Sequence, residues 1–256
     1  MLIDAHCHLD DEQFAEDREA VIMRAADAGV VAMITAGGDI ASSQRAVALA
    51  QKYKTVYAAV GIHPHHAAAY SETALKAIRA LALHPKVVAI GEIGLDFHYA
   101  DSAPREVQER NLNAHLDLAE ELGKPVVIHD RDAHARIIEI LERRKGRPRG
   151  MLHCFSGDLA MARQAIELGY WISFAGNLTF SNARQLQDIA RSLPLDRMLV
   201  ETDAPYLSPR RGRRNEPANV ALVTARLGEL LNVERSVVEA TTRQNIRILF
   251  GLRTAE

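Results

Sequence analysis

The feature that most constrains the fold is a regular alternation of short apolar segments with longer segments of helical periodicity. The candidate strands are residues 2–5, 30–35, 56–61, 87–91, 126–129, 150–153, 170–174 and 198–201. Helical spacing of apolar residues lies between them, for example at Leu112, Leu116 and Leu122. Two parallel neighbouring strands require a crossover connection, so the alternation predicts an α/β protein with a parallel sheet.

Eight strand–helix repeats are compatible with a closed (β/α)₈ barrel or with an open doubly wound sheet. The first strand–helix junction lacks the glycine fingerprint of a dinucleotide-binding fold, which disfavours the open sheet. The chain has 256 residues, and barrels of about 200–250 residues commonly form one domain. We therefore predict one TIM-barrel domain over residues 1–256. The helical stretches near 218–231 and 235–250 are predicted to be the eighth barrel helix and one extra C-terminal helix.

Composition narrows the classes of function and location. With 31 basic and 33 acidic side chains, a broad basic surface is not expected, so nucleic acid would have to contact a local patch. The cysteines, Cys7 and Cys154, are far apart and are predicted to be free thiols in a reducing compartment. A polar N-terminus and the lack of a long apolar run predict a cytoplasmic protein without a membrane span. No long apolar surface stripe stands out, so a monomer is expected.

Side-chain types that bind metals fall at the ends of the predicted strands. They are His6 and His8 on strand one, Glu92 on strand four, His129 on strand five, His153 on strand six, and Asp203 after strand eight. The C-terminal strand ends of a barrel converge on one face. Alternate residues of a strand point the same way, so His6 and His8 are expected to aim together, with Cys7 opposed. Glu201 and Asp203 are expected to share a side for the same reason.

This concentration of imidazoles and carboxylates predicts bound cations. Converging carboxylates repel each other and lose hydration, and divalent metals relieve both penalties. Mixed nitrogen and oxygen ligands suit zinc, manganese, iron or nickel, and magnesium where oxygens dominate. Six ligands exceed one tetrahedral site and fit two ions bridged by Glu92 and a water, about 3.5–4 Å apart. If these residues had only structural roles, side chains of metal-binding type would have to occur by coincidence at five separate strand ends. A metal site is therefore the preferred interpretation.

Seven motifs in this order resemble TatD-type metal-dependent hydrolases of the amidohydrolase superfamily. They are residues 4–9 (DAHCHL), 61–65 (GIHPH), 91–96 (GEIGLD), 127–129 (VIH), 153–157 (HCFSG), 201–206 (ETDAPY) and 215–217 (NEP). The resemblance continues to the final helix at residues 245–250 and so covers nearly the whole chain. It implies a (β/α)₈ barrel and a deoxyribonuclease-type phosphodiesterase.

The resemblance also implies roles for individual residues. His6, His8 and Asp203 would bind one metal, and His129 and His153 the other, with Glu92 bridging them. His63 and His65 match positions that contact substrate in the family, and Arg131 matches a position that holds phosphate. The chain departs from the family after Tyr206, where residues 207–214 form a shorter loop that is richer in arginine.

Two basic segments are interpreted differently. Residues 210–214 follow strand eight and open onto the metal face, where guanidinium groups match phosphate oxygens. Arg211, Arg213 and Arg214 are therefore predicted to contact substrate. Residues 143–149 lie between a helix and the next strand, on the opposite face of a barrel, and are predicted to be a solvated loop.

The predicted reaction is exonuclease-type hydrolysis of DNA, single-stranded or at 3′ ends, by a water that two divalent ions (Mg²⁺, Mn²⁺ or Zn²⁺) activate. Asp203 is the predicted general base, Glu92 the bridge, and Glu201 an orienting or substrate-contacting group. One alternative is hydrolysis of a carboxylic ester, lactone or amide. Many enzymes of that kind carry a modified lysine where Glu92 stands. A second alternative is a non-catalytic barrel stabilised by metals, but a structural site is normally closed by its ligands.

Overall fold

The parallel strands of this protein pair in chain order in a single sheet. The fold is described from a computed structural model, which describes residues 1–99 and 102–252. Within these ranges the strands are β1 (Leu2–Cys7), β2 (Val30–Ala36), β3 (Val56–Val60), β4 (Val87–Asp96), β5 (Val126–Arg131), β6 (Gly150–Leu152), β7 (Trp171–Phe174) and β8 (Met198–Val200). Every pair from β1–β2 to β7–β8 is parallel.

A helix follows each strand, which confirms the predicted (β/α)₈ barrel with an extra C-terminal helix. The helices are α1 (Arg18–Asp27), α2 (Ile40–Lys52), α3 (Glu72–Ala82), α4 (Arg105–Leu122), α5 (His134–Arg143), α6 (Leu159–Glu167), α7 (Arg184–Ser192), α8 (Val220–Leu231) and α9 (Arg235–Phe250). Local signals set their ends: Ser71 accepts the Ala74 N–H at the start of α3, and Gly123 ends α4 with φ 63°. None of the helices in the described ranges is long and apolar enough to cross a membrane.

The barrel closes between β1 and β8 through backbone hydrogen bonds. The Asp203 N–H donates to the His6 carbonyl at 3.0 Å, and the His8 N–H donates to the Ala204 carbonyl at 2.7 Å. The buried Asp4 carboxylate strengthens this junction, because it accepts the Thr202 N–H at 2.8 Å and the Thr202 hydroxyl at 2.6 Å. These contacts place His6, His8 and Asp203 side by side.

Inward-facing side chains fill the barrel below the ends of the strands. One buried cluster contains Val127, Met151 and Leu199, each two residues before a polar residue at the carboxyl end of its strand. Alternation along β5 directs His129 into this interior, above an apolar layer. His153 and Glu201 immediately follow β6 and β8, and contacts between the side chains place them beside His129. The last helix joins this cluster through Ile246, Leu249 and Phe250, so α9 packs against the barrel interior.

Strand β4 is longer than its sequence suggests. The predicted strand ended at residue 91, whereas β4 continues to Asp96 and contains Glu92 within it. The difference arises at Gly91 and Gly94, because glycine usually weakens a strand. Gly94 pairs with His129, and a Cβ atom built on Gly94 would lie 1.9 Å from the His129 carbonyl oxygen. Glycine thus allows β4 and β5 to approach closely beside the site.

Candidate metal centre

Glu92 is the central residue of the candidate site, and its two carboxylate oxygens face different histidines. Oε2 lies 3.3 Å from His6 Nε2 and 3.5 Å from His8 Nε2. Oε1 lies 2.9 Å from His129 Nδ1 and 2.8 Å from His153 Nε2. Glu92 is 3% exposed, so its charge is shielded from water and is balanced by these imidazoles.

The first group of candidate ligands comes from the β1–β8 junction. Asp203 Oδ1 lies 3.6 Å from His6 Nε2 and 3.5 Å from His8 Nε2. The two imidazole nitrogens are 3.1 Å apart. Cys7 lies on the other side of β1, where its thiol donates to the Ile34 carbonyl. The predicted common direction of His6 and His8, with Cys7 opposed, agrees with these contacts.

The second group contains one nitrogen more than the sequence predicted. His129 Nδ1 and His153 Nε2 are 3.3 Å apart beside Glu92 Oε1. His63 Nε2 is also 3.3 Å from that oxygen. The donor atoms of His63, Glu92 and His129 lie within 4.8 Å of one another. His63 was predicted to contact substrate, and the structure places it among the candidate ligands.

Hydrogen bonds behind the imidazoles fix their orientation. His129 Nε2 contacts Asp96 Oδ2 at 3.1 Å, and His153 Nδ1 contacts Glu201 Oε1 at 3.3 Å. His8 Nδ1 lies 3.1 Å from the Ala36 carbonyl. Such partners direct the ring nitrogens of histidine ligands toward a metal.

Asp96 is a residue that sequence reasoning missed. It is fully buried and its carboxylate also contacts His65 Nε2 at 2.8 Å. The pKa of this carboxyl lies below its usual range, because the hydrogen bonds with His129 and His98 outweigh the effect of burial. The signal was present in the sequence: Glu92 and Asp96 are four residues apart, and in an extended strand such residues share one face.

Glu201 and Asp203 approach different imidazoles. β8 ends at Val200, so strand alternation does not extend to them, and Asp203 has a left-handed φ of 57°. Glu201 lies behind His153, whereas Asp203 faces His6 and His8. Non-glycine residues in this backbone region are uncommon and cluster at functional sites.

The charges of the centre are strongly coupled. Burial disfavours the charged form of His8, yet its contacts with Asp203 and Glu92 raise its pKa to about 9. Burial lowers the pKa of His63 to about 4. Burial also acts to raise the pKa of Glu92, but the neighbouring charge of His153 and the hydrogen bonds with His129 and His153 hold it well below its usual range. Protons on imidazoles thus balance the carboxylates, and a divalent cation would displace them.

The residues fit a metal centre by the chemistry of their donors. Three groups of residues each offer ligating atoms that lie within 4.8 Å of one another. They are His6, His8 and Asp203; His6, Glu92 and His153; and His63, Glu92 and His129. His6 Nε2 and His8 Nε2 are close enough for their lone pairs to repel each other. A proton or a cation between the two nitrogens removes this repulsion. Imidazole with carboxylate is a donor set for zinc, manganese or iron.

Comparison with known proteins identifies the family. The model of TatD-related DNases matches residues 3–251. The chain belongs to this TatD family. The metal-dependent hydrolase YabD of Bacillus subtilis is 38% identical over 98% of this chain and 100% of its own length. A 3′-5′ ssDNA/RNA exonuclease TatD of Citrobacter koseri is 39% identical, with 98% and 99% covered.

A solved structure supports the same assignment. The TatD homologue YjjV of Escherichia coli K12 superposes with a TM-score of 0.93 at 35% identity, over 98% of both chains. This membership confirms the resemblance to TatD-type hydrolases and the predicted class of enzyme, a metal-dependent hydrolase. The roles of the individual residues stay predictions.

The mouth of the site carries the polar groups that the TatD resemblance marked as substrate contacts. His65 is 40% exposed in its side chain and bonded to Asp96. Arg131 ends β5, and its guanidinium donates to the Tyr99 hydroxyl at 3.1 Å. The His65 ring lies beside those of His63 and His129, with centroids 4.4 Å and 6.2 Å away. Tyr99 connects Arg131 to His65.

The arginines after β8 do not have equivalent surroundings. Arg211 and Arg213 are exposed. Arg214 donates to Asp17 at 2.7 Å and to the Gln13 carbonyl, and lies over the Phe14 ring at 4.5 Å. Arg214 therefore anchors the loop after β8 to the loop after β1. Its predicted contact with substrate is the least supported of the three.

Proposed function

We propose that this protein is an exonuclease that hydrolyses phosphodiester bonds at the 3′ end of single-stranded DNA or RNA, with two divalent cations bound on either side of Glu92. One observation carries the proposal: Glu92 directs each carboxylate oxygen to a separate group of imidazoles. A carboxylate between two ligand groups is the arrangement of two-metal hydrolases. The relatives named as 3′-5′ ssDNA/RNA exonucleases supply the substrate class.

The chain offers ligands for each cation. His6, His8 and Asp203 would hold the first, and His129 and His153 the second, with His63 as a further nitrogen donor. Bound divalent ions of this kind lower the pKa of water and neutralise charge on phosphoryl oxygens. Mg²⁺, Mn²⁺ and Zn²⁺ are the candidates, and the nitrogen-rich set favours Zn²⁺ over Mg²⁺.

Asp203 is the proposed general base. Burial acts to raise the pKa of Asp203, but the hydrogen bond with His8 and the charges of His153 and His6 lower it. The group is therefore a carboxylate at neutral pH and can accept a proton. Its backbone is fixed because its N–H donates to the His6 carbonyl and its own carbonyl accepts the Tyr206 N–H.

Arg131 is the proposed phosphate contact at the mouth, and His65 a second polar contact beside it. Both are partly exposed and held by neighbours, Arg131 by Tyr99 and His65 by Asp96. A positioned guanidinium can donate two parallel hydrogen bonds to phosphate oxygens. Glu201 is proposed to orient His153 from behind.

The test is hydrolysis of single-stranded DNA and RNA by metal-stripped protein, with Mg²⁺, Mn²⁺ or Zn²⁺ restored separately. Oligonucleotides labelled at the 5′ end would show a ladder if removal starts at the 3′ end. We expect cleavage only with metal, and its loss in Asp203→Asn. Lactone and amide substrates are assayed in parallel. Turnover of those compounds without cleavage of nucleic acid would contradict the proposal.

We also propose that the chain works as a single domain, as a monomer and in the cytoplasm. The continuous sheet of eight strands supports a single domain. Light scattering of the metal-loaded protein would give its mass, and a value of twice the 28.2 kDa of one chain would contradict the monomer.

A further inference from the structure

The exposed aromatic side chains of this protein are confined to the metal face. The sequence has six tyrosines, six phenylalanines and one tryptophan, and all of them lie within residues 1–99 and 102–252. Tyr99, at 46%, and Tyr206, at 50%, are the two that are exposed. One follows β4 and the other follows β8. Single exposed apolar side chains scattered over a surface are common, whereas exposed rings on one face beside a cleft indicate a binding surface.

Tyr206 is held rigidly beside the first ligand group. Its hydroxyl donates to Asp11 at 3.0 Å, and its ring centroid lies 6.0 Å from that of His8 at an angle of 67°. Its backbone is fixed from both sides, because its N–H donates to the Asp203 carbonyl and its carbonyl accepts the Asn215 amide at 2.7 Å. The ring is thus ordered and half open, which reduces the entropy lost when a ligand packs on it.

Tyr99 occupies the corresponding position beside the second ligand group. Its ring centroid lies 5.4 Å from that of His65, edge to face, and 4.9 Å from that of His98. Arg131 contacts the same residue, with its guanidinium carbon 5.0 Å from the ring centroid. An aromatic face and a guanidinium therefore stand together, the combination that binds a nucleobase and its phosphate.

The two tyrosines lie on opposite sides of the centre. β4 and β8 are four strands apart in a sheet of eight strands, so the loops that follow them face each other across the mouth. We propose that Tyr99 and Tyr206 are stacking contacts for two unpaired nucleobases, one on each side of the scissile phosphodiester. This inference rests on the proposed nuclease function and specifies how that site holds its substrate.

Stacking of this kind determines which nucleic acids are accepted. An internal base of a duplex has both faces covered by its neighbours, so the penultimate base at the 3′ end can lie on a tyrosine only after it unstacks. An unpaired base has no such cost of unpairing. Every base has a π face, so these contacts tolerate any sequence. The two tyrosines thus provide a preference for single strands without a broad basic surface, in agreement with the net charge of -2.

The experiment compares two substrates in the metal-loaded enzyme. One is a single-stranded oligonucleotide, and the other has the same backbone with abasic residues at its two 3′-terminal positions. The variants are Tyr99→Ala, Tyr206→Ala and the corresponding phenylalanine substitutions. Tyr70→Ala is the matched control, because Tyr70 is a partly exposed tyrosine bonded to Glu72. Thermal melting verifies that each variant is folded.

Loss of one base contact is worth about 1–3 kcal/mol, so each alanine variant is expected to lower kcat/KM on the normal strand by roughly tenfold. Its kcat/KM on the abasic strand is expected to equal that of the native enzyme, and phenylalanine is expected to restore most of the loss. Equal losses on both substrates, or no loss on the normal strand, would overturn the proposal. If the native enzyme cleaves neither strand, the nuclease function itself fails, which is a distinct result.

Discussion

Glu201 lies directly behind His153, with its Oε1 atom 3.3 Å from Nδ1 of the imidazole. The same oxygen accepts the Cys154 N–H at 2.8 Å, and Ser173 donates its hydroxyl to the other oxygen. Glu201 is fully buried. A carboxylate with these partners fixes the direction in which His153 presents Nε2. We therefore expect Glu201 to be a positioning residue rather than one that contacts the reacting atoms.

Glu201→Gln tests this role. The substitution keeps the shape of the side chain but removes the charge that orients His153. Loss of such a partner typically weakens metal binding by about 10- to 100-fold, and we expect a loss of that size for one of the two cations, measured by calorimetric titration. Glu229→Gln is the control, since Glu229 is an exposed partner of Arg226. Unchanged metal affinity in Glu201→Gln would show that the contact has no orienting effect.

Replacing Glu92 is expected to have the largest effect on activity. Glu92→Gln keeps the volume of the side chain but removes the charge that both ligand groups share. Metal ions contribute several kcal/mol to transition-state stabilisation, so kcat/KM should fall by roughly a thousandfold or more. Initial rates on single-stranded DNA measure this loss. Melting of the metal-free variant verifies its fold, and turnover near the native rate would contradict a shared bridge.

The arginines after β8 should separate into two kinds. Arg211→Ala and Arg213→Ala are expected to raise KM, and each should reduce the slope of log affinity against log salt by about 0.7, the value per phosphate for single strands. Arg214→Ala is expected to lower the free energy of unfolding by less than about 1 kcal/mol, because it breaks a partly exposed ion pair with Asp17. Salt titrations and urea unfolding measure the two effects. The assignment would be reversed if Arg214→Ala reduced the salt slope by about 0.7 and the other two variants left it unchanged.

Asp39, which is not a candidate ligand, provides a pH-dependent contribution to stability. It caps α2 by accepting the Ser42 N–H and hydroxyl, each at 2.6 Å. Burial acts to raise the pKa of Asp39, but these hydrogen bonds outweigh it and the net shift is downward. Its stabilisation is therefore fully present above the unfolded pKa of about 3.9 and is lost as pH falls through the lower folded value.

Asp39→Ala should lower the free energy of unfolding by about 1 kcal/mol at pH 7. Asp39→Asn keeps a capping acceptor but cannot titrate. The difference between the native protein and the asparagine variant should therefore shrink as pH falls from about 4 through the lower folded pKa, when unfolding is followed in urea. A difference that stays constant over this range would show that the charge of Asp39 is not involved.

Much of the fold, and the convergence of the candidate ligands, was predictable from the sequence. Strand–helix alternation gave the barrel because a parallel sheet leaves few other connections. The six predicted ligands converge because each lies near the carboxyl end of a strand or just after it. His63 was placed among substrate contacts, although its position after β3 brings it to Glu92 as well.

Other features depend on contacts between distant parts of the chain. Asp96 reaches His129 only because β4 continues past Gly94 and pairs with β5. The pairing of Arg214 with Asp17 joins two loops far apart in sequence. Tyr99 and Tyr206 become candidates for base binding because both are exposed on the same face. The exposure of a loop residue depends on the folded structure, and sequence periodicity does not predict it.

His6, His8 and Asp203 belong to the line along which the barrel closes. The two backbone bonds that join β1 to β8 start or end at these residues, so an opening of this seam would separate the first ligand group at once. The remaining strand pairs could survive such an opening. We therefore expect heat inactivation to begin as a local event, so that activity is lost before spectroscopy shows the loss of the fold.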